Sequence, residues 1–247
     1  MSAELRGCFV TGTDTGVGKT VVAGAIVAAL RRRGIAVQAI KPLITGLDDP
    51  PDPAWPPDHE LLARAAGQDA ADVILAGYGP PVSPHLAAEL AGGPAPTLAW
   101  MLEGVRASAR ADRLTIVEGV GGLLVPLGPG VDVRALARGL GLPLVIAARP
   151  GLGTINHTLL TLEAARSAGL RIAGVVLTPW PHDPGVMEQS NRRTIARLGS
   201  VEVATLAPIA RADPDLLAEA GAELPLERWL AEALERRADC AGPAGPR

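Results

Sequence analysis

The run Gly12-Thr13-Asp14-Thr15-Gly16-Val17-Gly18-Lys19-Thr20 constrains this chain more than any other stretch of it. An apolar, strand-like segment (Gly7-Cys8-Phe9-Val10) precedes it, and a long apolar, helix-like one from Val21 to Leu30 follows. Strand, glycine-rich turn and helix together are the setting of a phosphate-binding loop, in which backbone N–H groups of the turn and of the helix N-terminus converge on phosphate oxygens. In such a loop Lys19 reaches the β/γ-phosphates and the Thr20 hydroxyl takes a position on Mg²⁺. The spacing departs from the common pattern: four residues between the first Gly and Gly-Lys would put that Gly at Thr13, so Gly12 lies one residue early. A glycine-rich turn ahead of an ordinary helix is the competing reading, and Gly-Lys-Thr in strand-to-helix context weighs against it.

At 247 residues the chain has the length for one large α/β domain and does not require two. With 48% hydrophobic against 20% charged residues it belongs among globular proteins. A net charge of −3 provides no general basic field for nucleic acid or an anionic membrane. One Phe, one Tyr and four Trp leave little from which to build base-stacking platforms. Cys8 in the first strand and Cys240 in the tail make no disulfide scaffold, and fit a reducing cytoplasm. No apolar run reaches the roughly 18 residues that span a bilayer. The N-terminus runs straight into the first strand, without a signal-peptide pattern. A cytoplasmic protein is the expectation.

Strand and helix signals alternate, which predicts a mostly parallel sheet covered by helices on both faces. Strands are expected near 5–11, 36–40, 113–118, 143–148, 171–177 and 201–206. Helices are expected near 18–33, 58–67, 97–111, 131–140, 153–168, 185–197 and 225–236. Thr97 reads as the N-cap of helix 97–111. The proline-rich stretch 46–57 cannot be helix or central strand and reads as a long loop after the second strand. Residues 1–236 are expected to form the P-loop domain and 237–247 a disordered tail.

In an open parallel sheet, ligands bind beyond the carboxyl ends of the strands, and several polar residues fall there. Lys41 directly follows strand 36–40; on position alone it reads either as a surface lysine or as a cation facing the phosphate loop. Glu118 ends strand 113–118 and precedes Gly119-Val120-Gly121-Gly122, a pattern suited to a Mg²⁺ ligand beside closely approaching backbone, or to an exposed acid before a flexible turn. Asp58 and Glu60 open a helix, where acids also favour the helix dipole. Thr154-Ile155-Asn156-His157 begins a helix whose amides suit a substrate carboxylate or a plain cap. His157 reads as a packing or capping residue, His85 is ambiguous, and His59 and His182 read as solvent-exposed. No His/Cys cluster has the spacing of a zinc site.

These pieces, in this order, resemble the dethiobiotin synthetase family over roughly residues 7 to 215. The resemblance rests on Thr11-Gly12-Thr13-Asp14-Thr15 joined to Val17-Gly18-Lys19-Thr20, on Lys41-Pro42 with Thr45-Gly46, and on Ser83-Pro84-His85. It continues in Val117-Glu118-Gly119-Val120-Gly121-Gly122 and Leu152-Gly153-Thr154-Ile155-Asn156-His157. The early glycine of the loop is itself a family trait. The resemblance implies a P-loop NTPase-like fold and a cyclo-ligase of biotin biosynthesis that joins 7,8-diaminononanoate and CO₂ (or bicarbonate) at the expense of ATP. It implies Lys19 and Lys41 as catalytic, and Thr20, Asp58 and Glu118 as Mg²⁺ ligands. Residues 13–21 (Thr13, Asp14, Thr15, Gly16, Val17, Gly18, Lys19, Thr20, Val21) would bind the nucleotide together with Gly119, Val120 and Gly121. Thr178, Pro179, Pro208, Ile209, Ala210 and Asp215 line up with the base-contacting segments. Lys41, Thr45, Gly153, Thr154 and Asn156 would bind substrate, the last three across a homodimer interface.

Three departures stand out. Gly16 replaces a common glutamate and Thr45 a common serine. Leu177-Thr178-Pro179 replaces an Asn-Asp pair that reads adenine, which predicts weak discrimination among nucleoside triphosphates. The alternative reading is a partition-type nucleotide-switch ATPase acting through protein partners. Those proteins carry a second lysine five residues before the loop lysine, and here that position is Asp14. A related synthetase that amidates a corrinoid side chain also carries a glutaminase domain, for which the stretch after residue 207 is short.

Overall fold

The computed structural model describes residues 5–240 apart from 51 and 53. Six strands form one parallel sheet: β1 (Gly7–Gly12), β2 (Val37–Ile40), β5 (Leu114–Gly122), β8 (Leu144–Ala148), β9 (Ile172–Leu177) and β10 (Val203–Thr205), in the order β10-β9-β8-β1-β5-β2. Two short pairs lie apart from it: β3 (Leu43–Ile44) beside β4 (Ala76–Gly77), and β6 (Pro126–Gly128) beside β7 (Val131–Asp132). The helices are α1 (Lys19–Arg32), α2 (Asp58–Ala66), α3 (Pro84–Leu90), α4 (Leu98–Ser108), α5 (Val133–Leu140), α6 (Thr154–Ser167), α7 (Val186–Gly199), α8 (Pro214–Ala222), α9 (Leu226–Trp229) and α10 (Ala231–Cys240).

Strand alternation divides the core in two. Cys8, Val10, Ile116, Val145, Ala147 and Val176 face one layer, built with α1, α2 and α8. Phe9, Val117, Leu144, Ile146, Val175 and Leu177 face the other, built with α4, α5, α6 and α7. Both faces of the sheet are therefore dry, which is why its strands read as continuous apolar runs rather than alternating ones. α1 is buried along its length from Val22 to Leu30, as a helix apolar all round must be. β1 lies between β8 and β5, and the chain crosses from it to the far edge at β2; this is the switch point where an open sheet leaves a crevice at its carboxyl end.

All six expected sheet strands and the helices opening near 18, 58, 97, 153 and 185 are present. Thr97 caps α4, its hydroxyl accepting from the Trp100 N–H at 3.2 Å. Several expectations need correction. β5 runs on to Gly122, because the segment read as a turn rejoins β1 beyond an irregularity, with Gly12 opposite Gly122 after a register shift. Residues 131–132 form β7 rather than helix; Asp132 then caps α5 by accepting from Ala135 N–H. The helix expected at 225–236 is broken at Leu230 into α9 and α10, and α10 extends through Cys240 into the segment read as tail. The remainder of that segment lies outside the described residues. α3 and α8 were not anticipated.

The layer on the α1 side depends on close approach. A Cβ on Gly221 of α8 would fall 2.1 Å from the Ala25 carbonyl oxygen of α1, and one on Gly24 would fall 2.7 Å from Leu61 Cδ2. Backbone cannot yield as a side-chain tip does. Gly221→Ala is expected to cost about 1–3 kcal/mol or more, measured as a lowered midpoint in chemical denaturation, whereas alanine at Gly93, where a Cβ meets nothing within 4 Å and the backbone is not left-handed, will cost less. Burial pushes the Cys8 thiol up to about 12, so Cys8 is expected to resist alkylation at neutral pH until the protein unfolds, as peptide mass spectrometry will read.

Candidate active site

Register and parity bring the charged residues together. In β2, Val37 and Ala39 point to the α1 side, so Lys41, the residue just past the strand, continues on that face. In β5, Leu114 and Ile116 point the same way, and Glu118 follows them. Ile40 pairs with Val117, which sets Lys41 beside Glu118, and Val10 pairs with Glu118 from the other side. The phosphate loop leaves β1 at this same end and feeds α1 across the same face.

The result is a compact ionic cluster. Lys41 Nζ lies 2.6 Å from Glu118 Oε1 and 2.7 Å from Asp58 Oδ2. The Thr20 hydroxyl donates to the same Glu118 oxygen at 2.9 Å. Lys41 is 2% exposed and Glu118 1%, while the Asp58 side chain, at the N-terminus of α2, is 44% exposed. Lys19, 7% exposed, donates from Nζ to the Asp14 carbonyl at 2.9 Å, within the loop itself. Burial works against the charge on Lys41, but Glu118 and Asp58 outweigh it and hold its pKa above the ordinary lysine value. Burial and the neighbouring Lys41 lower that of Lys19 despite the attraction of Glu118. Burial would raise the Asp58 carboxyl, yet Lys41, the Thr20 hydroxyl and Lys19 together keep it below its ordinary value.

Around this cluster the loop takes the shape that anion binding needs. Gly16 and Gly18 have φ of 68° and 87°, which a side chain would strain. Gly18 occupies the N-cap of α1, and the first turn carries no acid to compete with a phosphate. Thr13 is tied to the sheet by its N–H to the Ala147 carbonyl at 3.0 Å, and the Asp14 carboxylate accepts from the Thr15 N–H at 2.7 Å. Val17 is buried in the core and Val21 packs against it. Gly119, Val120 and Gly121 lie near the carboxyl end of β5, with Gly121 at φ 62°. Thr178 follows β9 with its methyl turned onto the loop: a Cβ on Gly18 would meet Thr178 Cγ2 at 2.8 Å. Pro179, next to it, is exposed and has no N–H to offer a base.

Other expected residues stand further out. Among the described residues no hydrogen bond or ion pair joins Thr45, Gly153, Thr154, Asn156, Pro208, Ile209, Ala210 or Asp215 to the cluster. Gly153, at φ 89°, is the N-cap of α6; Thr154 is buried and Asn156 exposed. Asp215 opens α8, where Asp213 is the cap, accepting from the N–H groups of Asp215 and Leu216. His59 is not the solvent-facing residue expected: its Nδ1 is buried without a partner. His182, His157 and His85 are exposed, and His85 Nδ1 lies 3.0 Å from the Ser83 hydroxyl.

Two residues near the site were missed. Arg149, past the end of β8, donates to the Gly16 carbonyl at 3.2 Å. Asn191, buried on α7, donates from Nδ2 to the Pro150 and Gly151 carbonyls at 2.9 and 3.2 Å and so fixes the turn before α6. Arg149 sits at a strand end and was legible by the rule that found Lys41. Asn191 lies 40 residues from its partners, and nothing local to it carries that signal.

The donor set of Thr20, Asp58 and Glu118 is all oxygen, suited to a hard cation that keeps much of its water. Glu118 Oε2 is buried and has no hydrogen-bond partner, an acceptor the protein leaves for something else. Among the described residues no group of three or more His, Cys, Asp or Glu gathers to hold a metal through protein ligands alone.

Removing Lys41 strands a buried carboxylate. Lys41→Met is expected to lower stability by about 3–5 kcal/mol, and adding Glu118→Gln to it should restore much of that loss. Urea denaturation of the two single variants and the double variant measures the coupling; additive losses would contradict it.

The model of a family described as an AAA domain matches residues 6–211. In the solved structures, apo McdA of Cyanthece aligns over 94% of this chain and 98% of that one, with a TM-score of 0.51 and 13% identity, a likeness of fold alone. Among curated proteins, the ATP-dependent dethiobiotin synthetase BioD of Mycobacterium avium (strain 104) is 46% identical over 193 residues, 78% of this chain and 83% of that protein. That of Rhodococcus jostii (strain RHA1) is 43% identical over 200 residues, 81% of this chain and 84% of that protein. With its P-loop, its paired lysines and this degree of identity, the chain belongs to the ATP-dependent dethiobiotin synthetase family.

Proposed function

We propose that this chain is a dethiobiotin synthetase, a cyclo-ligase that uses ATP to close the ureido ring of dethiobiotin from 7,8-diaminononanoate and CO₂. The observation that carries this reading is that Lys41 lies 2.6 Å from Glu118 and that Lys19, in the phosphate loop, is close enough for the charges of both to act on it. Two anions, a triphosphate and a carbamate, must approach each other for the reaction, and a pocket with two ammonium groups offsets their repulsion.

An amine of the substrate adds to CO₂ and loses a proton, giving a carbamate. A carbamate oxygen attacks the γ-phosphorus as the bond to the β-phosphate oxygen breaks, giving a carbamic–phosphoric anhydride and ADP. The second amine attacks the carbamoyl carbon, phosphate leaves with that oxygen, and the cyclic urea forms. Lys19 holds the β/γ-phosphates with the amides of residues 13–18, and the N-terminus of α1 receives their charge. Lys41 holds the carbamate and the transferring group, and Thr45 hydrogen-bonds the substrate. Thr20, Asp58 and Glu118 would hold Mg²⁺, which would supply neutralisation of the phosphate charge. Gly153, Thr154 and Asn156 receive the distant substrate carboxylate in a homodimer, and Asn191 keeps their turn in place. The working compartment is the cytoplasm; no helix among the described residues is long and apolar enough to cross a membrane.

Nothing at the end of β9 supports strict reading of adenine. Thr178 is turned onto the loop, Pro179 lacks a donor, and Pro208, Ile209 and Ala210 present backbone and apolar surface. CTP and GTP are therefore expected to support turnover within about ten-fold of ATP, and a strict requirement for ATP would contradict this. The assay is purified protein with diaminononanoate, bicarbonate, Mg²⁺ and nucleotide, followed for dethiobiotin and phosphate. In it Lys41→Ala is expected to lower kcat by a hundred-fold or more, on the order of a lost transition-state donor, with nucleotide affinity little changed, whereas Lys19→Ala will weaken nucleotide binding as well. Equal loss of both properties in both variants would overturn the division of labour.

A further inference from the structure

Arg149 stands where the phosphate loop, the end of β8 and the turn before α6 meet, and the proposed chemistry leaves it without a task. The backbone on both sides of it is pinned. The Ala147 carbonyl accepts from the Thr13 N–H at 3.0 Å and the Ala148 carbonyl from the Thr178 N–H at 2.9 Å, while Asn191 holds the Pro150 and Gly151 carbonyls. From this fixed point the exposed side chain reaches back to the loop. Among the described residues it makes one hydrogen bond, to the Gly16 carbonyl at 3.2 Å, and no ion pair. The approach is close: a Cβ on Gly16 would fall 3.2 Å from Arg149 Nη2.

That contact fixes more than one oxygen. The peptide between Gly16 and Val17 is trans, so its carbonyl and its N–H point to opposite sides of the chain. Holding the Gly16 oxygen toward Arg149 turns the Val17 N–H the other way, to the side on which a loop of this kind cradles phosphates. Among the described residues the N–H groups of Gly16, Val17 and Gly18 meet no acceptor within the protein, which leaves them as donors for an anion. Glycine on both sides of Val17 gives the backbone wide freedom there, so an outside contact is needed to choose one orientation of the peptide.

We propose that Arg149 is a positioning residue for the nucleotide: its guanidinium holds the Gly16 carbonyl on the outer side of the loop and so keeps the Val17 N–H aimed at the phosphates. It acts through the Gly16–Val17 peptide and touches no reacting atom. Asn191 serves the same end one step removed, by fixing the turn from which Arg149 projects. This inference rests on the reading of residues 13–18 as the site of a nucleotide's phosphates.

The test is calorimetric titration of the natural protein, Arg149→Met and Arg149→Lys with ADP and with inorganic pyrophosphate, each in the presence of Mg²⁺. Arg149→Met is expected to bind both ligands about ten-fold more weakly, the size of one lost hydrogen bond from a charged donor, and Arg149→Lys to recover to within about three-fold of the natural protein. A loss for ADP that spares pyrophosphate puts Arg149 on the nucleoside instead of the loop, and unchanged binding of both removes it from the site; either result overturns the proposal. A natural protein that binds neither ligand sinks the nucleotide reading itself, and the inference falls with it. In turnover, Arg149→Met is expected to raise KM for ATP by a similar factor with kcat within about two-fold; a fall in kcat at unchanged KM contradicts a role in binding. A second measurement separates aim from charge. In ¹⁵N-labelled protein saturated with Mg²⁺ and ADP, the Val17 amide proton is expected at the low field of a phosphate-bound donor, and to lose that shift in Arg149→Met. The same shift in both proteins shows that charge alone acts, and overturns the assignment.

Discussion

A buried ammonium held between two carboxylates organises this protein. Lys41 ties the end of β2 to β5 through Glu118 and to α2 through Asp58, while Thr20 ties α1 to the same acid. Four elements that share little local sequence are fixed to one point. Such a cluster is poor value as a source of stability alone, since desolvating its charges offsets most of their attraction. Its retention makes sense if the charges are wanted for another purpose, and the adjacent phosphate loop supplies one.

The sheet delivers those groups by arithmetic. Side chains alternate along a strand, so a lysine and a glutamate following apolar runs of matching parity reach the same face. Parallel pairing of Ile40 with Val117 then puts them side by side. β1, between β8 and β5, opens the crevice at its carboxyl end, and the loop that follows it meets Lys41 and Glu118 there. The geometry of the site is thus a consequence of register, with the glycines at 16 and 18 permitting the turn that closes it.

Much of this was legible in the residues. The loop motif is local, and the buried strands announce themselves as apolar runs such as Leu144-Val145-Ile146-Ala147. The parity of Lys41 and Glu118 could be counted from the same strings. What escaped was short or long-range. α3 and α8 are brief, and their signals are single dipeptides: Ser83-Pro84 and Asp213-Pro214, each an N-cap followed by proline in the first turn. The continuation of β5 through Gly119 to Gly122 is imposed by pairing with β1, against the local preference of glycine for turns. The contact of Asn191 with Pro150 and Gly151 depends wholly on how α7 packs. The double reach of Lys41, to an acid on a neighbouring strand and to another beyond a proline-rich loop, has no local signal either.

The chemistry proposed for the two lysines makes one demand that no nucleotide switch or simple hydrolase shares: an oxygen from CO₂ must end on phosphate. The direct measurement is turnover with ¹⁸O-labelled bicarbonate in unlabelled water, short enough to limit exchange, with mass spectrometry of the released phosphate. Transfer of one labelled oxygen per phosphate is the result expected of a carbamate that attacks the γ-phosphorus. Dethiobiotin formed alongside phosphate that carries no label would contradict it.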